Sequence, residues 1–390
     1  PGQREVTVTV TGPGGEATTS QTVSVRPPRR WRFETPTPAI SAPTIADGTA
    51  YAASADGLLY ALDAVTGEQL WTVDVGVDSA TSPTVVDGTV FIGSSNTDVY
   101  ALDAATGEQG WAFDTGEAVR SSPSVAGGTV FAGSLDGSLY ALDAATGEQG
   151  WMVEAGDTVR TSSVVAGETA IVAGGGTVYA LAAASGGQLW RFEMDGTVVS
   201  SPTVADGTVV VGDDGGCVSA LDIVSGEHRW TVETGDSVVS SPTVAGGTVF
   251  VGSTDNSLYA LDTDTGEQVW VFETDGAVRS SPTVAGGTVL VGSTDNSLYA
   301  LDAATGDLSW VVETDGPVVS SPVVDEGTLY IGTESGVEAL TAPAGGTSEG
   351  SRARLGTLNH PSERRYAGQE PGSPRGETHG DDPQRTGCGT

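Results

Sequence analysis

A chain of 390 residues with 51 acidic side chains, 16 basic ones and a net charge of −35 is too acidic to bind nucleic acid or an anionic membrane surface, both of which need basic patches. All 16 basic residues are arginine. Only one of the three histidines, His228, lies between residues 31 and 340, on a strand expected to face solvent, so a histidine-based metal site or a serine–histidine–aspartate relay has no raw material there, and no apolar run reaches the roughly 18 residues of a membrane-spanning helix.

Residues 1–28 form the first unit. Val6–Thr11 and Thr22–Val25 alternate apolar and polar residues around Gly12-Pro13-Gly14-Gly15, the pattern of a β-hairpin. This stretch resembles the last two strands of a PKD-type immunoglobulin-like domain, a resemblance that implies a surface protein. Because the chain starts with Pro1 inside that hairpin, it is expected to be part of a longer extracellular protein. Arg26-Pro27-Pro28-Arg29-Arg30 reads as a short stiff linker.

From residue 29 to 342 one unit recurs. Tryptophans stand at Trp31, Trp71, Trp111, Trp151, Trp190, Trp230, Trp270 and Trp310, forty residues apart except for one interval of thirty-nine, and there are no others. A period of about 40 residues points to a propeller or solenoid. Within Ser240–Trp270 four short runs rich in Val, Phe, Tyr, Leu and Thr are separated by Gly, Asp and Asn, which predicts four antiparallel strands and hence one propeller blade. The last unit stops after three strands, at Leu340, while Trp31-Arg32-Phe33-Glu34 is a fourth strand with no blade in front of it. Joined, they close an eight-bladed ring and remove the exposed sheet edges.

Ala61-Leu62-Asp63 with Thr66-Gly67 and Trp71 reads AxDxxTGxxxW, and the pattern returns around Asp103, Asp143, Asp222, Asp262 and Asp302. It resembles the pyrroloquinoline quinone (PQQ) repeat family, whose tryptophan-docking motif ties neighbouring blades together. The resemblance implies that the eight tryptophans and six aspartates are structural. The family includes quinoprotein alcohol and glucose dehydrogenases, and also non-catalytic propellers such as the outer-membrane assembly lipoprotein. Its alcohol-oxidising members use vicinal cysteines, a calcium shell and a further tryptophan stacked on the quinone, and no counterpart of these is apparent here.

Blades 4 and 5 depart from the pattern together. Blade 4 carries Ser163 for Pro, a shortened turn at Gly174-Gly175-Gly176, Ala182 for the motif Asp and Ser185-Gly186 for Thr-Gly; blade 5 carries Asp213-Asp214-Gly215-Gly216-Cys217 at a turn and Ser219 in place of Tyr. Either sequence drift or a binding rim accounts for this. Asp262-Thr263-Asp264 with Glu267 falls short of the six to eight oxygens of a calcium site. Residues 343–390 turn to Gly, Ser, Pro, Arg and Glu, the composition of a disordered tail. Cys217 and Cys388 are too far apart in context to predict a disulfide.

Rare arginines in an acidic ring are the sharpest site signal. Arg120, Arg160 and Arg279 share one repeat position, just before the innermost strand, where other blades carry Ile40, Ala80, Val199, Val239 and Val319. They are expected at the mouth of the central channel, either as an anion site for carboxylate or phosphate or paired with Glu117, Asp157 and Asp275. His228, the one histidine of the propeller, is expected to face solvent.

The sequence therefore predicts an all-β, eight-bladed propeller that serves as a non-catalytic extracellular scaffold for a protein or glycan, monomeric within a larger chain, with no cofactor. The alternatives are a dehydrogenase holding PQQ and calcium at the three arginines, and a structural spacer. Residues 31–340 hold 43 acidic and 6 basic side chains, a balance suited to molar salt, where counterions screen the repulsion. This predicts a halophilic source and a thermal midpoint that climbs as KCl rises from about 0.1 to about 3 M; a midpoint that stays level across the series contradicts it.

Overall fold

The computed structural model describes residues 2–12, 15–25, 27–39, 41–77, 81–342 and 388, the first two segments as backbone alone. The tail expected at 343–390 lies outside the described residues except for Cys388. Gly2–Gly12 and Gly15–Val25 pair antiparallel as a two-stranded sheet. The remaining strands form eight four-stranded antiparallel sheets, the eight blades of a propeller.

Turn chemistry sets the meander of each blade. Blade 6 comprises Thr243–Ala245, Thr248–Gly252, Ser257–Asp262 and Gln268–Glu273. Its first turn, Gly246-Gly247, has φ of 59° and 79°, the doubly left-handed geometry whose twist matches a tight hairpin. Asn256, at φ 74°, makes the second turn. Opposite Ala260 and Leu261 the outer strand carries a bulge, which turns Val269 out to solvent.

The apolar core lies between blades rather than within them. A single sheet has two faces, and each of the eight clusters of buried side chains draws on two neighbouring blades: Val210, Val218 and Trp230 of blade 5, for example, pack on Val244, Val249 and Leu261 of blade 6. Each innermost strand touches the next, and Val323–Asp325 of blade 8 touches Thr44–Ala46 of blade 1, so the ring is closed.

Closure is made by the N-terminal strand. Arg29–Glu34 pairs with Gly336–Thr341, setting Trp31 opposite Ala339. Where most blades have Tyr on the third strand, blade 8 has Glu338, which is almost fully buried and lies 3.2 Å from Arg29 and 3.5 Å from Arg32. Burial pushes the Glu338 carboxyl up, against the pull of the two arginines. Arg32 also pairs with Asp315 of blade 7.

A belt of hydrogen bonds runs round the inner edge, and sequence reading had not identified it. The backbone N–H groups of Ala42, Ser82, Ser122, Ser162, Ser201, Ser241 and Ser281 each donate to a serine hydroxyl of the next blade, from Ser82 round to Ser321, at 2.8–3.2 Å. The eighth bond of the same kind, from Ser321, cannot form because blade 1 presents Ala42. Ala42→Ser therefore completes the belt and is expected to raise the unfolding free energy by about 1 kcal/mol. Denaturant titration measures this, and an unchanged or lower midpoint would show that the belt does not help hold the ring.

Candidate functional site

Two sets of residues were singled out by sequence, and the structure places them in different layers of each blade. The tryptophans and aspartates form the outer docking layer. Trp31, Trp71, Trp111, Trp151, Trp190, Trp230 and Trp270 each donate their indole N–H to a backbone carbonyl of the next blade at 2.8–3.1 Å. The acceptor is the residue that follows the motif Asp, or Ala182 in blade 4. The indole lies flat on the turn glycine: a Cβ on Gly67, at φ 74°, would meet the Trp31 ring at 2.6 Å. Glycine is thus required there twice over, by the backbone and by the ring above it.

Asp63, Asp103, Asp143, Asp222, Asp262 and Asp302 shape that turn. Asp143 Oδ1 accepts from the N–H groups of Ala145 and Thr146 and from the Thr146 hydroxyl at 2.9–3.1 Å. The Thr146 hydroxyl and N–H hold its carboxyl below the ordinary value of 3.8. Asp222 makes the same bonds and also pairs with Arg229 at 2.6 Å. In blade 8 the pattern ends at Thr341 and Ala342, and the buried Trp310 Nε1 has no partner among the described residues.

The three arginines belong to the inner layer, on the crossovers that lead into the innermost strands. Arg120 follows fully buried Val119 and precedes buried Ser121, whose hydroxyl donates to Gly133 O at 3.0 Å and accepts from Gly133 N–H at 2.7 Å. Pinned on both sides, the backbone turns the Arg120 side chain outward. Arg160, between Val159 and Thr161, and Arg279, between Val278 and Ser280, are held in the same way. All three are exposed, and among the described residues none has an ion-pair partner, so the expected pairing with Glu117, Asp157 and Asp275 is not formed. At the same repeat position Val239 and Val319 are exposed by 36% and 39%, while Ile40 and Ala80 lie outside the described residues.

A correction concerns the cysteines. Cys217 and Cys388 form a disulfide, with Cα atoms 6.0 Å apart although 171 residues separate them in sequence. Sequence distance was a poor guide because it says nothing about where a chain end returns to a closed ring. Cys388 N–H also donates to Glu233 Oε1 at 2.9 Å.

His228 is exposed; its ring stacks on Phe192 at 5.9 Å, and its Nε2 shares a hydrogen bond with Thr231 Oγ1 at 2.7 Å. Beside it lies a pocket of 320 Å³ lined by residues of blades 4 and 5 and by Cys388, which sequence reading did not locate. The signal available in the sequence was Ser219, noted as a departure but not recognised as vacated volume.

These residues do not fit the quinone site that the dehydrogenases of the resembled family imply. Each tryptophan is spent on a blade seam, the two cysteines are bonded to each other, and the described residues contain no group of three or more side chains arranged to hold a metal.

The sequence profile of the family described as outer membrane protein assembly factor BamB matches residues 7–86, 61–174, 157–243 and 218–352. No curated protein matches the chain. Among solved structures it is similar to BamB from Moraxella catarrhalis, at 19% identity and a TM-score of 0.69, covering 81% of this chain and 100% of that one. It is also similar to the computationally designed Ika8 protein, at 18% identity and a TM-score of 0.69, covering 80% and 99%. A third likeness is to the quinohemoprotein alcohol dehydrogenase of Comamonas testosteroni, at 16% identity and a TM-score of 0.67, covering 82% and 75%. At such identities the likeness is one of fold.

The docking turns carry a pH signature. A carboxylate whose folded pKa is depressed contributes stability above its unfolded value and loses it as pH falls through the folded value. The stability gap between the native chain and Asp143→Asn is therefore expected to be constant well above 3.8 and to shrink in more acid solution. Denaturant midpoints taken at several pH values test this, and a gap independent of pH contradicts it.

Proposed function

The chain belongs to the family of the outer membrane protein assembly factor BamB, and on that premise we propose that it is a non-catalytic scaffold whose crossover ring binds an acidic, partly apolar segment of another protein. The observation that carries this reading is the makeup of that ring. In a propeller of overwhelmingly negative charge, Arg120, Arg160 and Arg279 stand exposed on pinned backbone with no ion-pair partner among the described residues, sharing their repeat position with exposed Val239 and Val319. Free guanidinium forks bind carboxylates bidentately, and the valines offer apolar contact between them. Held on a closed ring, these groups need little reordering on binding, which lowers the entropic cost of association.

The setting we propose is extracellular, in a halophile, within a longer chain. The disulfide supports this, because such bonds persist in oxidising compartments. The hairpin ahead of the propeller, similar in sequence to the end of a PKD domain, supports it too.

A glycan partner and a quinone remain the competing occupants of the crossover ring, and one titration separates all three. An acidic peptide with interspersed leucines is expected to bind saturably in molar KCl, and an Arg120→Ala, Arg160→Ala, Arg279→Ala triple variant to weaken it about tenfold or more. A neutral oligosaccharide is expected not to compete. Saturable PQQ binding with calcium-dependent, dye-linked alcohol oxidation that the triple variant abolishes would replace this reading with an enzyme.

A further inference from the structure

The hairpin ahead of the propeller needs a surface to pack on. Gly2–Gly12 and Gly15–Val25 pair continuously, and their register puts Val6, Val8, Val10, Ala17, Val23 and Val25 on one face of the two-stranded sheet. The other face carries only Thr, Ser, Gln and Glu. Two strands alone are marginally stable in water, and a sheet with one apolar face is stable when that face packs on another element. Both strands of the hairpin lie against the outer strand of blade 7, Leu308–Glu313. They cross it rather than extend it, since the hairpin remains a sheet of its own beside a four-stranded blade.

Blade 7 differs from the other blades at this strand. In the other seven the first two residues of the outer strand are exposed, whereas Leu308 and Ser309 are half-buried. Leu308 stands where five blades have Gln, an apolar residue at the one outer strand that the hairpin meets. Val311 is half-buried, while its counterpart Val271 in blade 6 is 42% exposed. The seam beyond is also the one where the docking motif is lacking, because blade 8 has Thr341 and Ala342 in its place. Trp310 is nevertheless only 1% exposed, less than Trp31, Trp190, Trp230 and Trp270 at 7–8%, so its cover does not come from the repeat's own turn.

We propose that the outer strand of blade 7 is the docking surface for the chain's own N-terminal β-unit, and that the hairpin, seated there by its apolar face, clasps the seam between blades 7 and 8 from outside. Residues 26–28 join the hairpin to Arg29, a span of at most roughly 10 Å. Pro28 O accepts from Thr341 N–H at 2.9 Å, which fixes the near end of that span to blade 8. So short a tether gives the chain's own hairpin a high effective concentration at the surface and favours it over the hairpin of a second copy. The hairpin is thereby held against the ring instead of swinging on the linker. This surface is separate from the crossover ring, and the inference stands whether or not a protein binds there.

The test is hydrogen exchange and limited tryptic cleavage of the full, disulfide-bonded chain in molar KCl. In the native chain the amides of Leu308–Glu313 are expected to exchange about tenfold more slowly than those of Gln268–Glu273, and trypsin to cut slowly after Arg4. Val311→Arg introduces the residue that blade 4 carries as Arg191, so the blade is expected to fold. It should erase the difference in exchange and speed the cut after Arg4 about tenfold or more. Removing residues 1–25 should erase the same difference, while Val271→Arg, the same change on blade 6, should alter neither readout. Unchanged exchange in blades 3 to 5 confirms that the variants remain closed rings. The proposal is overturned if the two strands exchange alike in the native chain, or if Val311→Arg leaves both readouts unchanged. It is overturned too if slow exchange and a doubled mass in sedimentation disappear together on dilution, which would assign the surface to the hairpin of a second copy.

Discussion

The whole molecule depends on the packing of one blade's face against the next. A blade is a single twisted sheet with two apolar faces and no core of its own, so its buried residues become buried only at seams. Eight blades make eight seams only if the ring closes, and closure covers the two end faces that a linear array would expose. The tryptophan that lies on a glycine of the next blade, the serine belt at the inner edge and the buried Glu338 with its two arginines are three polar devices for one apolar requirement.

Much of this was legible in the sequence because repetition multiplies each signal. Eight tryptophans at one spacing reveal the period, and a count of strands leaves Arg29–Glu34 with no partner except the unfinished blade at the other end. The arginines were legible as a repeat position, and alternation with buried neighbours explains why their side chains reach solvent. Whether they were paired was not legible, since that depends on carboxylates brought close by folding rather than by order along the chain.

What stayed hidden depends on contacts across a seam. Ser219 was visible as a departure, but that it leaves a cavity follows only from knowing that a tyrosine there packs on the phenylalanine of the preceding blade. Asp213 likewise reads as one more acid in an acidic chain until its full burial is seen. The disulfide is the extreme case, because 171 residues of chain separate two atoms that the ring brings together. Departures from a repeat are thus where this fold places its individual chemistry, while the repeat itself supplies rigidity.

If seam packing is what holds the ring, then breaking one seam should turn a closed ring into an open array that frays from its two new ends. Hydrogen exchange resolved by blade, on the native chain and on Trp31→Ala, measures this most directly. The native ring is expected to show similar protection in all eight blades, and the variant a gradient, with most protection lost in blades 8 and 1 and least in blades 4 and 5. Protection lost only within the closing strand, with every other blade unchanged, would contradict the account.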